Sequence, residues 1–274
     1  MRISTIAFQQ SPRPKMTDAP RMDGDALILS DTEIPFHNHE WMNKCIKLAR
    51  EVYGVKNLWI VGDAVQWTAF ASFPGGDKDA LKEIAEIEDH IPPILQFDKV
   101  VLVNGNHDQR PALISDRQLS NSVISRLYVP PEIAAEWNKK VTVSDYFYGF
   151  CGDWRLTHPR ATSVIPAGAT AKIVSAHGTN VIQGHNHLVG LRQAGYDAHT
   201  KRNLWAVEIG CCVDPERLPY YMLRDTSRPK MCNGAAILRK QEDGFYACTL
   251  LTKEMFDWKQ WKHISKRSRN EERK

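Results

Sequence analysis

The first half of the chain alternates short apolar runs with longer segments in which apolar residues recur every three or four positions. Runs of four or five apolar residues are typical of buried strands, and the helical spacing is typical of helices packed on a sheet. The pattern predicts strands at 26–30, 57–61 and 100–103 and helices at 40–53, 78–91 and 111–127. This alternation favours a parallel sheet covered by helices.

The second half is richer in strands than in helices. Its apolar runs predict strands at 141–143, 147–156, 180–182, 188–194, 204–209, 235–238 and 245–251, with one helix at 167–176. We therefore expect an α/β fold with four layers, in which two mixed β-sheets pack together with helices on the outside. This domain should cover residues 26–252, between an N-terminal arm at 1–25 and a basic C-terminal tail at 253–274.

Composition narrows the class of protein. Hydrophobic residues make up 42% and charged residues 25% of the 274 positions, which excludes a collagen-like or wholly disordered chain. No apolar run approaches the ~20 residues that span a bilayer, and the N-terminal residues lack the apolar core of a secretory signal. The six cysteines include no CxxC pair, so we expect reduced thiols in a cytoplasmic protein with no membrane association.

Charge is concentrated at the C-terminal end. Residues 253–274 hold eight Lys/Arg and four Asp/Glu, which accounts for the whole formal net charge of +4. A basic tail can attract nucleic acid by neutralising phosphates, so nucleic acid is a candidate partner. The alternative is a solvated chain end without a partner.

Polar side chains that can bind metal follow five of the predicted strands. They are Asp31 and Glu33, Asp63, Asn106 with His107 and Asp108, His158, and His185 with His187. In open α/β sheets the carboxyl ends of the strands line the ligand crevice, so these groups should meet there. Carboxylates and imidazoles suit Mn, Fe, Zn or Ni, and one shared carboxylate can hold two such ions. A metal pair ~3.5–4 Å apart can stabilise both the attacking and the leaving oxygen of a displacement at phosphorus.

The order of these groups resembles the calcineurin-like metallophosphoesterases, and the stretch SDTEIPFHN at 30–38 is similar to phage and bacterial members. The family pattern D-x-H, G-D, G-N-H-[D/E], H, G-H-x-H is matched by DTE at 31–33, GD at 62–63, GNHD at 105–108, His158 and GHNH at 184–187. The similarity extends over residues 26–251. It implies hydrolysis of phosphomono- or phosphodiester substrates by two divalent ions, Mn foremost, with a bridging hydroxide.

The resemblance also implies a role for each motif residue. One metal would be held by Asp31, Glu33, Asp63 and His187, and the other by Asp63, Asn106, His158 and His185. His107 would face the substrate, where it stabilises phosphoryl oxygens or protonates the leaving group. Asp108 would orient His107.

One position departs from the family pattern. Glu33 stands where the family usually has histidine. Its carboxylate either ligates, which favours Mn, or points away and leaves that metal weakly held. In the second case His37 or His39 is a conceivable replacement, although neither has the family spacing.

Several other residues leave alternatives open. His158 ends an apolar strand and is preferred over His177 as the fourth-motif ligand, whereas His90, His199 and His263 carry no motif and are expected to have no functional role. His37 is a candidate for substrate contact because it follows the first motif closely. Arg110 could hold a phosphate, or it could form a salt bridge at the start of a helix.

Two further functions compete with a small-molecule phosphoesterase. The basic tail and the nuclease branch of the family favour a DNA or RNA nuclease. Glu33 alone favours a scaffold that has lost one metal site. The loops at 67–77 and 213–232 are expected to determine the choice of substrate.

Overall fold

The computed structural model describes residues 18–72, 78–115, 119–218 and 231–255. The strands in these ranges are β1 Arg21–Met22, β2 Ala26–Leu29, β3 Asn57–Val61, β4 Lys99–Val103, β5 Val141–Val143, β6 Tyr148–Cys151, β7 Trp154–Thr157, β8 Asn180–Gln183, β9 Val189–Asp197, β10 Arg202–Ile209, β11 Gly234–Lys240 and β12 Tyr246–Thr252. The α-helices are α1 His39–Glu51, α2 Ala80–Glu88, α3 Arg110–Ile114, α4 Asn121–Ile124, α5 Ala134–Lys140 and α6 Gly168–His177.

The strands form two mixed sheets of six. One sheet has the order β12-β11-β2-β3-β4-β5, in which β2 to β5 are parallel and β11 and β12 are antiparallel to their neighbours. The other has the order β1-β6-β7-β8-β10-β9, with parallel β7, β8 and β10 at its centre. The carboxyl ends of β2, β3 and β4 therefore lie side by side in one sheet, and those of β7 and β8 in the other.

Alternation along the strands separates the layers of the core. In β2, Ile28 points into an apolar layer shared by both sheets, while Leu27 points into the layer beneath the helices. The inter-sheet layer includes Trp59 and Val207, one from each sheet. Because helix α1 packs on the outer face of the first sheet and α6 on the outer face of the second, the predicted four-layer architecture is confirmed.

Side-chain caps fix the starts of two helices. The Asn38 side chain accepts a hydrogen bond from the backbone N of Trp41, and Asp79 accepts from Leu81 and Lys82. Such caps satisfy backbone donors that have no partner inside the helix. The Asn38 cap places the start of α1 immediately after the loop that follows β2.

Two predicted elements are divided in the structure. The helix predicted at 111–127 is interrupted between α3 and α4, where Asn121 donates from its backbone to Asp145 and from its side chain to Ser144. These tertiary bonds compete with helix formation. The run predicted as one strand at 147–156 is a hairpin, because Gly152 and Asp153 form a two-residue turn between β6 and β7.

The predicted arm and tail are only partly within the described ranges. Arg21 and Met22 pair with β6, and Met22 enters the inter-sheet layer, so this part of the arm belongs to the fold. Residues 1–17 and 256–274 lie outside the described ranges, as do 73–77 and 219–230 of the two loops expected to select substrate. Within the described ranges, no helix combines the length and apolar character needed to cross a membrane.

Replacing Leu238 by alanine tests the inter-sheet layer. Leu238 is fully buried in β11, so Leu238→Ala should lower the free energy of unfolding by about 2–5 kcal/mol, because the cavity cannot close completely. The control is Leu191→Ala, at a leucine 59% exposed in β9, which should change it by less than ~0.5 kcal/mol. Urea unfolding measures both, and equal effects would contradict the layer assignment.

Candidate metal centre

The strand ends bring six of the seven predicted metal ligands into two compact groups. Asp31, Glu33 and His187 form one group and Asp63, His158 and His185 the other, and within each group one ligand atom per residue lies within 4.8 Å of the others. Glu33 and Asp63 also share such a group with His107, so the two sets adjoin. Residues from both sheets thus meet at one edge of the molecule.

Glu33 points into the first group. Nε2 of His187 lies 3.3 Å from Oε1 of Glu33 and 3.1 Å from Oδ1 of Asp31. The other carboxylate oxygen of Asp31 accepts hydrogen bonds from the Ser30 hydroxyl and, at 2.9 Å, from the backbone N of His185. Of the two orientations considered for Glu33, the structure has the one in which its carboxylate faces the other ligands.

A backbone carbonyl orients His158 in the second group. Nδ1 of His158 lies 2.9 Å from the carbonyl oxygen of Val61, so it is the donor, and Nε2 is the atom turned to the other ligands. Nε2 lies 3.2 Å from Oδ2 of Asp63 and 3.3 Å from Oδ1 of Asn106. The Asn106 side chain, the seventh predicted ligand, therefore joins this group. His177, the rival of His158, is exposed at the end of α6.

The site concentrates negative charge away from water. Asp31, Glu33 and Asp63 are each at most 1% exposed. Burial opposes ionisation of Asp31 and Asp63, but the charges of nearby histidines outweigh it and lower the pKa of both carboxyls. Several ionised carboxylates in so small a buried volume are stable only when cations balance them. Oxygen and imidazole donors together fit divalent transition ions, so the residues present fit the metals that the motifs imply.

The histidines respond to this charge in different ways. Burial lowers the pKa of His158, but Asp63 and Asp31 outweigh that effect and raise it to about 10. The pKa of His187 is raised well above its usual value because Asp31 likewise outweighs burial. For His185, burial and the charge of His158 lower the pKa to about 4. The carboxylates thus attract positive charge most strongly at His158 and His187.

The backbone at the site is strained. Among the described residues, eight other than glycine have a positive φ, and five of these are predicted ligands: Asp31 at 48°, Glu33 at 43°, Asp63 at 50°, His185 at 80° and His187 at 57°. Such conformations cost about 1–3 kcal/mol each and cluster where function requires them. The fold accepts this cost in order to turn ligand side chains toward one point.

Two motif glycines allow the ligands to approach the backbone. Gly62 has a φ of +78°, and a Cβ there would lie 2.2 Å from the ring of His158. A Cβ on Gly105 would lie 2.1 Å from both the backbone N and Oδ1 of Asp63. The glycines of the GD and GNHD motifs are therefore required by packing against the ligands.

His107 lies beside the two groups. Its backbone N donates to Oδ1 of Asp63 at 2.7 Å, and its Nδ1 lies 3.7 Å from Asp63 and 3.8 Å from Glu33. Burial lowers the pKa of its imidazole, although the two carboxylates act in the opposite direction. At neutral pH this favours the neutral ring.

Asp108 acts on the loop that carries His107. Its carboxylate accepts hydrogen bonds from the backbone N of Val65 at 3.2 Å and of Gly105 at 2.9 Å. These bonds join the loop after β3 to the loop after β4. Burial and the charge of Asp63 raise the pKa of Asp108 to about 7. These bonds run to the backbone of Val65 and Gly105, so the orientation of His107 by Asp108 stays a prediction.

The two predicted substrate residues lie in different surroundings. Arg110 begins α3, donates from Nη1 to the carbonyl oxygen of Gln66, and is close enough to lower the pKa of His107. His37 is buried among other histidines, outside the carboxylate groups. Burial, then His39 and His90, lower its pKa to about 3. His37 and His39 are therefore not placed to replace Glu33.

One supporting residue carries no motif and was not predicted from the sequence. Glu208, buried in β10, accepts hydrogen bonds from the Asn186 side chain at 2.9 Å and from the backbone N of Ala167 at 2.8 Å. Asn186 lies between His185 and His187, so Glu208 fixes the loop that carries both ligands. The available signal was a single charged residue inside the apolar run at 204–209.

No protein-family model and no curated protein sequence matches the chain. Among solved structures, Vps29 of Chaetomium thermophilum matches at 10% identity over 84% of this chain and 95% of its own, with a TM-score of 0.34. The nuclease MPE of Pseudomonas putida matches at 16% identity over 78% of this chain and 84% of its own, with a TM-score of 0.30. At such scores these similarities carry no argument about function.

Substituting Gly105 tests whether this packing controls metal binding. Gly105→Ala places a methyl group against Asp63 and should weaken Mn binding roughly 10- to 100-fold, the equivalent of about 1–3 kcal/mol of overpacking. The control is Gly195→Ala in β9, where a Cβ would have no neighbour closer than 3.5 Å and binding should not change. Calorimetric titration measures both, and unchanged affinity in Gly105→Ala would contradict the geometry.

Proposed function

We propose that this chain is a metal-dependent phosphoesterase that uses two divalent cations, with Mn preferred, to hydrolyse phosphomono- or phosphodiesters. The observation that carries the proposal is the pair of adjoining buried groups, Asp31/Glu33/His187 and Asp63/His158/His185. The motif order that resembles the calcineurin-like metallophosphoesterases supports the same function. The carboxylate content of the site favours Mn over softer ions.

Each group offers the ligands for one ion. Asp31, Glu33 and His187 would hold the first, and His158, His185 and Asn106 the second. Asp63 adjoins both sets, since it shares a group with Glu33 as well as with His158. Bound there, the two ions would activate water and neutralise phosphoryl oxygens.

The remaining residues prepare the ligands and the substrate. The Val61 carbonyl holds the proton of His158 on Nδ1, which leaves Nε2 free to ligate. His107, neutral at pH 7, would donate a hydrogen bond to a phosphoryl oxygen of the substrate, and Asp108 would keep its loop in place. The Arg110 guanidinium would contact the same phosphate.

The orientation of Glu33 also weighs against the scaffold alternative. The substitution of glutamate for histidine was the single reason to expect a lost metal site. Because the carboxylate faces His187, that reason is weakened.

A cytoplasmic location stays a prediction from the cysteine pattern.

A nuclease is the second candidate function. The net charge of residues 253–274 favours it, although most of that segment lies outside the described ranges. A substrate panel separates the two functions: p-nitrophenyl phosphate and its bis-ester on one side, single- and double-stranded DNA and RNA on the other. Preference for the polymers at equal concentration of phosphate groups would favour the nuclease.

Removing a ligand should abolish hydrolysis without unfolding the protein. We expect Asp63→Asn and His185→Ala to lose Mn-dependent hydrolysis of bis-p-nitrophenyl phosphate, because each variant removes one proposed metal ligand from the second group. His199→Ala, at an exposed histidine beyond the end of β9, is the control and should keep full activity. Wild-type rates in Asp63→Asn, with the circular dichroism spectrum preserved, would refute the proposed centre.

Replacing His107 tests its role at the substrate. His107→Ala should lower kcat by about 10²- to 10³-fold while metal content stays the same, since it removes one donor to developing charge. The loss should be equal for phenyl and p-nitrophenyl esters. A much greater loss with the poorer phenyl leaving group would show instead that His107 protonates the leaving oxygen.

A further inference from the structure

A second histidine-rich cluster lies apart from the carboxylate groups. The rings of His37, His39 and His90 are in mutual contact, with centroid separations of 4.1 Å (37–39), 4.8 Å (37–90) and 4.4 Å (39–90). One ligand atom from each lies within 4.8 Å of the other two, and the cluster shares no residue with the groups around Asp63. We call it the three-histidine cluster.

The cluster joins two helices. His37 and His39 flank the N-cap of α1, and His90 follows the end of α2. The two helices are separated by β3 in the sequence, so a bond between these histidines would connect distant parts of the chain. An ion held there would fix the start of α1 against the end of α2.

The three histidines of the cluster differ in their exposure to solvent. His37 is 2% exposed, whereas His90 is partly exposed and His39 is open to solvent. Nδ1 of His37 is buried and has no hydrogen-bond partner among the described residues. Buried polar atoms normally have a partner, and an imidazole nitrogen can satisfy this requirement by ligating a metal.

We propose that His37, His39 and His90 bind a single divalent metal ion of the Zn²⁺, Co²⁺ or Ni²⁺ class, at a site separate from the proposed phosphoesterase centre. Three imidazoles with one position open to solvent are an established arrangement for Zn²⁺. Imidazole also selects Zn, Co and Ni over the Mn that suits carboxylates. The two sites should therefore differ in metal preference.

The surrounding charges act in both directions. Nη1 of Arg217 lies 3.5 Å from the carbonyl oxygen of His37, and its positive charge opposes a cation. Asp89, next to His90 at the end of α2, and the negative end of that helix favour one. Removing the opposing charge with Arg217→Gln should tighten binding at this site.

Metal counting with matched variants tests the proposal. Wild type, His90→Ala, His39→Ala, Asp63→Asn and the His199→Ala control are dialysed against Co²⁺ or Zn²⁺, and bound metal per chain is measured. His90→Ala and His39→Ala should each lose one equivalent relative to wild type and to His199→Ala. Asp63→Asn should keep that equivalent, which distinguishes this site from the phosphoesterase centre.

Stability and activity provide independent measurements. In the Asp63→Asn background, Zn²⁺ should raise the midpoint of thermal unfolding, and adding His90→Ala should reduce this shift, because an ion that binds the folded state stabilises it. Mn-dependent hydrolysis should be the same in wild type and His90→Ala. Undiminished metal content in both His90→Ala and His39→Ala would overturn the proposal, and so would a Zn²⁺ shift that is as large in Asp63→Asn/His90→Ala as in Asp63→Asn.

Discussion

The structure depends on the approach of three buried carboxylates, those of Asp31, Glu33 and Asp63. Like charges in a buried volume repel one another strongly, and imidazoles from His158 and His187 relieve part of this repulsion. The two divalent cations that we propose would relieve the rest. The left-handed backbone at the ligands and the close packing of Gly62 and Gly105 are costs that the fold bears to maintain this arrangement.

Much of the site was predictable because short segments of the sequence indicate both the strands and the polar residues that follow them. Parallel strands β2, β3 and β4 had to bring Asp31, Asp63 and Asn106 to one edge once the apolar runs were recognised. The choice of His158 over His177 followed from the same reasoning about strand ends. The four-layer architecture was likewise predictable from the change in pattern halfway along the chain.

What escaped prediction depends on contacts between distant residues. The bond from Asn186 to Glu208 joins the loop between β8 and β9 to strand β10, and nothing near either residue indicates its partner. His90 carries no motif, and only the fold brings the segment after α2 to the start of α1, where the ring of His90 contacts that of His37. The break in the helix predicted at 111–127 arises in the same way, from bonds between Asn121 and the segment after β5.

The most direct test of the proposed metal centre is the anomalous scattering of a crystal soaked in Mn²⁺. The proposed centre predicts two manganese peaks, one among Asp31, Glu33 and His187 and one among His158, His185 and Asn106, with an oxygen of Asp63 bound to each. A crystal that shows Asp63 bound to no metal, or no peak within either group, would contradict it.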